Sequence, residues 1–472
     1  MAGATVGDTK DRKLVRVGVS QLLGRFDHQI PFSSEKDFVI LHGPNGIGKT
    51  KLLELIDATF SVNLQVVSEI PFQSAVFEFD DGSVITIERA SQEVLPEVEE
   101  EENVSEKLSF HLKRPDGRSL TWDASRALRG AEPLPALIRA MESMLPVRRV
   151  GGNKWRDPSV GDVVSARELY RRYSELLPRG VGPQTLQRPD DMPSEISDVL
   201  SSITVHLIET QRLINLQAIH PSRSLRESEN VRQPTVVRFS EDFSRRLGDA
   251  MAQNSRVSQG LDRSFPRRLL SETNHLHPQI TEEAIRARYS EQNEIRRRLT
   301  QISVLDASGD LPLPDRTLAD WERRVLWTYL DDTEEKLNTF KDLLNRVDLL
   351  REIARSRFLY KELVLDRDGF HVVTAGGKEI PASKLSSGEQ HELVLVYDLL
   401  FNVKPNSLVL IDEPEISLHV AWQKEFLNDI VRIAAINSAR FMVATHSPQI
   451  IHKYWSETVG LEPGYADEET WG

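Results

Sequence analysis

Apolar and polar positions alternate at the start of the chain. LVRVGVSQLLGRFDHQIPF, residues 14–32, carries period-two stretches divided at Gly24 and predicts two strands joined by a turn. Asp37-Phe38-Val39-Ile40-Leu41 is a short continuous apolar run, the mark of a strand buried on both faces, and it leads into a glycine-rich loop. KTKLLELIDATF follows with helical spacing at Leu52, Leu53, Leu55 and Ile56. Two hairpins come next. SAVFEFDDGSVITIE alternates around Asp81-Gly82, and KLSFHLKRPDGRSLTW alternates around Asp116-Gly117. The acidic run between them, EVLPEVEEEENVSEK, reads as a solvated loop.

Residues 124–200 are helical and loop-rich, broken by prolines at 133, 146, 158, 178 and 183. SSITVHLIETQRL reads as a strand running into a polar loop. From 237 to 357 the period becomes helical: Ile285, Tyr289, Ile295, Leu299 and Ile302 share one face, as do Leu337, Phe340, Leu344 and Val347. A single helix over 316–357, after Pro312 and Pro314, would span about 60 Å. Strands and helices alternate again after 358, in FLYKELVLDR, GFHVVTA, SLVLIDE and RFMVATHS.

Composition narrows the classes. No apolar run approaches the length of a membrane span, and the first residues, MAGATVGDTKDRK, do not read as a secretory signal. The chain has no cysteine, which removes disulfides, thiolate metal sites and cysteine nucleophiles and fits a cytoplasmic location. A net charge of −13 means that any nucleic-acid contact needs a local basic patch. Arg286, Arg288, Arg296, Arg297 and Arg298 offer the best one, equally readable as a partner-facing or solvated surface.

Gly43-Pro44-Asn45-Gly46-Ile47-Gly48-Lys49-Thr50 fits a phosphate loop between strand and helix. Backbone N–H groups around Gly43, Asn45, Gly46 and Gly48 can close on a β-phosphate. Lys49 supplies a point charge, and the Thr50 hydroxyl can ligate Mg²⁺. Ser407–Glu413 is an apolar strand ending in two carboxylates: Asp412 suits a metal, and Glu413 suits a general base that polarises water. Phe441–Pro448 is another such strand, ending in His446, which could reach a γ-phosphate or the attacking water. Gln211, after ITVHLIE, is a candidate to orient metal or water, although loop glutamines are common. His275 and His277 lack a third partner at usable spacing, so no metal site is expected there. Leu385-Ser386-Ser387-Gly388-Glu389-Gln390 reads locally as a helix start capped by Ser386 or Ser387, with Glu389 completing a capping box. A capped start is also an anion site, and the local residues allow both roles.

In this order, phosphate loop, glutamine loop, LSSGEQ, strand-DE and strand-His resemble the ATP-binding-cassette (ABC) class of ATPases. IDEPEISLHVAWQKEF, ATHSPQIIH, LIETQRL, LDRSFPRRLL and LSSGEQHELVLVYDLLF resemble more narrowly its OLD-like group (AAA15/AAA21, related to SMC and RecF). That group includes ATPase subunits of anti-phage systems such as Septu, PARIS and some retrons. The signature departs from the transporter form LSGGQ at Ser387 and Glu389.

The resemblance implies an α/β ABC-type ATPase head with a mixed central sheet, an antiparallel β subdomain and an inserted helical hairpin or bundle. The lobes would be 1–225 and 358–472, with the insertion at 226–357. It implies ATP and Mg²⁺ as cofactors, with Thr50, Asp412 and Gln211 near the metal and Glu413, His446 and Lys49 catalytic. Ser386 and Gly388 would contact the γ-phosphate of ATP held by another copy, giving a homodimer or higher even oligomer. Only about 20 residues follow Ile451, too few for the Toprim nuclease domain of OLD nucleases, so cleavage is expected to belong to a partner effector. A RecF/SMC-like clamp that binds DNA directly is the alternative. A self-contained nuclease or a transporter subunit fits less well, and no membrane partner is expected.

Overall fold

The computed structural model describes residues 12–32, 37–90, 107–125, 191–209, 235–271, 280–306, 312–416 and 418–462, with short pieces between 127 and 189. Its contacts divide the chain into two units, 1–212 with 403–472, and 213–402.

In the first unit β1 (Leu14–Leu22) and β2 (Phe26–Pro31) form the hairpin turned at Gly24. β4 (Ser74–Phe79) and β5 (Val84–Ala90) form the next, and β6 (Lys107–Lys113) and β7 (Ser119–Asp123) the third. Together they make one antiparallel sheet in the order β2-β1-β4-β5-β6-β7. Asp81 and Asp116 close their turns by accepting N–H bonds from the residues two positions on, Ser83 at 2.8 Å and Arg118 at 3.0 Å. The alternation has a clear purpose: Ala75, Phe77 and Phe79, with Leu108, Phe110 and Leu112, point to one buried face. A small three-stranded sheet holds β8 (Arg148–Gly151), β9 (Lys154–Arg156) and β10 (Val163–Ser165).

The second sheet of this unit is parallel. β3 (Phe38–His42), β11 (Val205–Glu209), β15 (Leu408–Asp412), β16 (Arg440–Ala444) and β17 (Thr458–Gly460) lie in the order β11-β15-β16-β3-β17. Its central strands are buried on both faces, which explains their unbroken apolar runs. Helix α1 (Lys49–Phe60) shares one core with both sheets: Leu52, Leu53, Leu55 and Ile56 are fully buried, and Phe60 meets Phe77 edge-on at 5.4 Å. Each such side chain contributes about 1.5–3 kcal/mol by leaving water. Helices α2 (Leu64–Glu69) and α3 (Ser194–Ser201) add Val67, Ile196 and Leu200 to that core.

The second unit begins with α4 (Thr235–Ser271), α5 (Glu282–Gln301), α6 (Asp320–Asn338) and α7 (Lys341–Arg357). The single helix expected over 316–357 is two helices. At the break Thr339 Oγ1 donates to Lys336 O at 2.7 Å, and Asn254 Nδ2 donates to the same carbonyl at 2.7 Å. Phe340 N bonds three residues back, to Leu337 O, and its ring is buried. Side chains thus occupy the acceptor that the next helical turn needs, and the ladder tightens and bends.

Four of the five arginines of α5 are ion-paired within the chain. Arg286 pairs with Glu282 at 2.7 Å, Arg288 with Asp331 at 2.7 Å, Arg297 with Glu294 and Arg298 with Asp348 at 2.5 Å. Arg296 donates to Asn293 at 2.6 Å. The stripe is a knitted helix face, its charge largely compensated before any partner arrives.

β12 (Lys361–Asp366), β13 (Gly369–Thr374) and β14 (Glu379–Pro381) then form an antiparallel sheet, followed by α8 (Ser387–Tyr397). Tyr397 anchors this unit: it stacks on Phe239 and Phe401, and its hydroxyl donates to Asp242 at 2.8 Å. In the first unit α9 (Val420–Asn437) and α10 (Pro448–Ile451) flank the ends of β15 and β16. Among the described residues no helix is long and apolar enough to cross a membrane.

Candidate nucleotide site

Parallel register aligns the strand ends. Glu209 pairs with Asp412, Asp412 with Ala444, and Ala444 with Leu41. The strand ending in His446 therefore lies between the phosphate-loop strand β3 and the carboxylate strand β15. Ligands bind at such carboxyl ends in open α/β sheets.

Two glycines of the loop are required by this chain alone. Gly48 has φ +93°, and a Cβ there would come within 2.9 Å of Leu22 Cδ2. At Gly43 a Cβ would stand 2.5 Å from the Leu461 carbonyl oxygen, just beyond β17. Asn45 and Gly46 are exposed at the loop tip. From beneath, His28 Nε2 lies 3.0 Å from the Ile47 carbonyl oxygen, and burial lowers the pKa of this histidine. Nothing in the strand sequence FDHQIP signals that contact.

Lys49 is buried at 4% exposure, and its ammonium donates to the Gly43 and Pro44 carbonyls, both at 3.0 Å. Burial pulls its pKa below the ordinary lysine value, against the opposing pull of the Glu413, Asp412 and Glu415 carboxylates. His446 Nδ1 lies 3.5 Å from the same ammonium, and its Nε2 lies 3.7 Å from Glu413 Oε1. An ammonium only donates, so the network assigns Nδ1 as acceptor and places the ring proton on Nε2, facing Glu413.

Thr50 Oγ1 donates to Asp412 Oδ2 at 2.8 Å. A hydroxyl and a carboxylate are both hard oxygen donors, the kind that Mg²⁺ takes. The pair therefore fits Mg²⁺. Glu413 follows with φ +46°, and its N–H bonds the Ala444 carbonyl at 2.8 Å. A left-handed non-glycine backbone costs on the order of 1 kcal/mol or more, and here it turns the carboxylate away from Asp412 toward His446.

Glu415 emerges only from the structure. Its Oε1 accepts the His446 backbone N–H at 2.7 Å, and its Oε2 accepts the Thr445 hydroxyl at 2.8 Å. Thr445 Oγ1 accepts Ser447 N–H at 3.0 Å, and Ser447 Oγ donates to Gln423 Oε1 at 2.8 Å. The only sequence signal was a third carboxylate three residues after Asp412. Glu415→Ala leaves the histidine backbone untethered. Phosphate-release kinetics should show kcat reduced about 10- to 100-fold, with KM changed less than about threefold.

Lys49, Thr50, Asp412, Glu413 and His446 thus meet in one place. Ser386 and Gly388 lie in the other unit. There Ser386 caps α8 in the expected capping box, its Oγ accepting Glu389 N–H at 3.4 Å. No atom beyond its own helix backbone and chain neighbours lies within 4 Å of where a Cβ of Gly388 would stand. Gln211 and the His275/His277 pair lie outside the described residues.

Residues 226–452 match a family model described as "AAA domain, putative AbiEii toxin, Type IV TA system". That span includes the LSSGEQ helix and the ends of β15 and β16, and it begins after the phosphate loop. No curated protein matches the chain. Among solved structures it is similar to the Smc head domain with an extended coiled coil bound to the C-terminal domain of ScpA from Pyrococcus furiosus, at 13% identity and a TM-score of 0.34, covering 96% of this chain and 94% of that one. The SMC head domain from Thermotoga maritima is 12% identical with a TM-score of 0.29, covering 95% and 94%. The described sheets and helices form an α/β fold, and the AAA-domain match covers its second half as far as the end of β16 and α10.

Proposed function

We propose that the protein binds ATP with Mg²⁺ in the 43–50 loop of one copy and closes it beneath the LSSGEQ helix start of a second copy. Hydrolysis to ADP and phosphate would reopen the pair. The observation that carries this reading is the meeting of Lys49 with Thr50–Asp412 and Glu413–His446 at three adjacent strand ends. Thr50 and Asp412 would hold Mg²⁺, which when bound supplies charge neutralisation at the β- and γ-phosphate oxygens. Lys49 binds those oxygens. Glu413 takes a proton from water as its oxygen bonds the γ-phosphorus and the bond to the β–γ bridging oxygen breaks. His446 donates from Nε2 and steadies the water or the γ-phosphate.

The cycle would govern a partner effector, a nuclease in an anti-phage defence assembly, with this chain as sensor, scaffold or regulator. The matching family's description places its AAA domain in a toxin–antitoxin system, which fits a part in a defence assembly. Gly388 supports the two-copy arrangement, because it brings no side chain to the helix start and the space where one would stand is open. Ser386→Arg tests the arrangement by placing a bulky side chain where the second copy's phosphate would sit. Light scattering with ATP should show ATP-dependent association in the wild type and none in the variant. Association untouched by the substitution would sink the reading.

A further inference from the structure

The LSSGEQ helix start holds an electrostatic conflict. Free N–H groups and the helix dipole favour an anion there, yet the first turn carries the Glu389 carboxylate, 9% exposed. One oxygen of that carboxylate, Oε2, accepts both Ser386 N–H at 2.9 Å and Ser386 Oγ–H at 2.8 Å. The hydroxyl that would face a phosphate is therefore given to an internal carboxylate.

Lys361, the first residue of β12, answers that charge. Its Nζ lies 2.8 Å from each carboxylate oxygen of Glu389. Burial alone would raise the pKa of Glu389. The hydrogen bonds from Lys361 and Ser386 outweigh it and hold the carboxyl below its ordinary range, so the pair is ionic at neutral pH. Four residues earlier Arg357 stands 3.5 Å from Glu392, with both side chains 5% exposed. The corner between α7 and β12 thus grips α8 on two successive carboxylates, and only the outer grip reaches Ser386.

We propose that Lys361 is a positioning residue for the shared nucleotide site. By neutralising Glu389 it makes the helix start acceptable to the γ-phosphate of a nucleotide on a second copy. By competing for Oε2 it lets the Ser386 hydroxyl turn from the carboxylate to that phosphate. The inference rests on the two-copy reading above and names the residue that makes its signature half work.

Three variants, Lys361→Met, Glu389→Gln and the double, test it, with Ser386→Arg as the control on the two-copy reading. Lys361→Met should weaken ATP-driven association about 10- to 100-fold. Binding of fluorescent ATP to dilute, unassociated protein should stay within about twofold of wild type. The double variant should recover to within about threefold, since a neutral amide needs no counter-ion. Glu389→Gln alone should associate at least as well as wild type, and this arm decides the matter if Lys361→Met folds poorly. Wild-type association of Lys361→Met, a double variant as weak as the single, or weakened association of Glu389→Gln would each overturn the proposal. If Ser386→Arg blocks association while the Lys361 arm fails, only the role of Lys361 falls. If Ser386→Arg associates normally, the two-copy reading falls and takes this role with it.

Discussion

Glu413→Gln is expected to stop turnover while leaving ATP bound. The amide keeps the size of the side chain and a donor–acceptor edge toward His446 Nε2, 3.7 Å away from the carboxylate in the native protein. It cannot accept a proton from water. General-base catalysis is typically worth 10²–10⁴-fold, so phosphate release should fall by about that factor. Lys49, Thr50 and Asp412 remain in place, so affinity for fluorescent ATP should change little. Because hydrolysis is what reopens the proposed pair, the variant should accumulate as an ATP-bound dimer on gel filtration, and that trapped form is the one to use for capturing an effector. Turnover within a few-fold of wild type would show that Glu413 is not the base. The left-handed backbone at Glu413 survives the exchange, because its N–H still bonds the Ala444 carbonyl.

Lys49→Met should have the opposite signature, with binding itself lost. The ammonium faces the Asp412, Glu413 and Glu415 carboxylates, and without it the loop mouth is anionic where a triphosphate must enter. Charge-assisted hydrogen bonds are worth about 1.5–3 kcal/mol, and added repulsion from three carboxylates makes a loss of at least about 100-fold in affinity the expectation. Fluorescent-ATP titration measures it. Arginine should not rescue, because its planar fork does not fit between the two loop carbonyls that a compact ammonium reaches at 3.0 Å. The wild type adds a pH test. Burial lowers the Lys49 pKa, and phosphate binding needs the protonated form, so affinity should decline as pH rises through a value below that of ordinary lysine. That decline should be missing in Lys49→Met. Affinity in the variant within about threefold of wild type would remove Lys49 from the site.

Much of this site was legible in the residues because its parts are local. A glycine loop between an apolar strand and an amphipathic helix, or a buried strand ending in carboxylates, follows from backbone geometry and burial over some ten residues. So do the Asp81-Gly82 and Asp116-Gly117 turns and the Ser386–Glu389 capping box. The helix break at Thr339–Phe340 was not legible, because one of the two side chains that bond the freed carbonyl, Asn254, comes from a distant helix.

Sequence alone determined the strand and turn periods, the glycine-rich 43–50 loop between strand and helix, the paired carboxylates at 412 and 413 and the capped LSSGEQ start. Tertiary structure decided which strand lies between loop and carboxylates, and so that His446 faces both Lys49 and Glu413. It also decided that Glu415 tethers that histidine, that Leu461 crowds Gly43, that Lys361 neutralises Glu389, and that four of the five α5 arginines are already ion-paired. The division has one physical cause. Backbone propensity and burial act between neighbours in the chain, whereas hydrogen bonds and charges act between neighbours in space, and parallel strand register makes residues far apart in sequence adjacent.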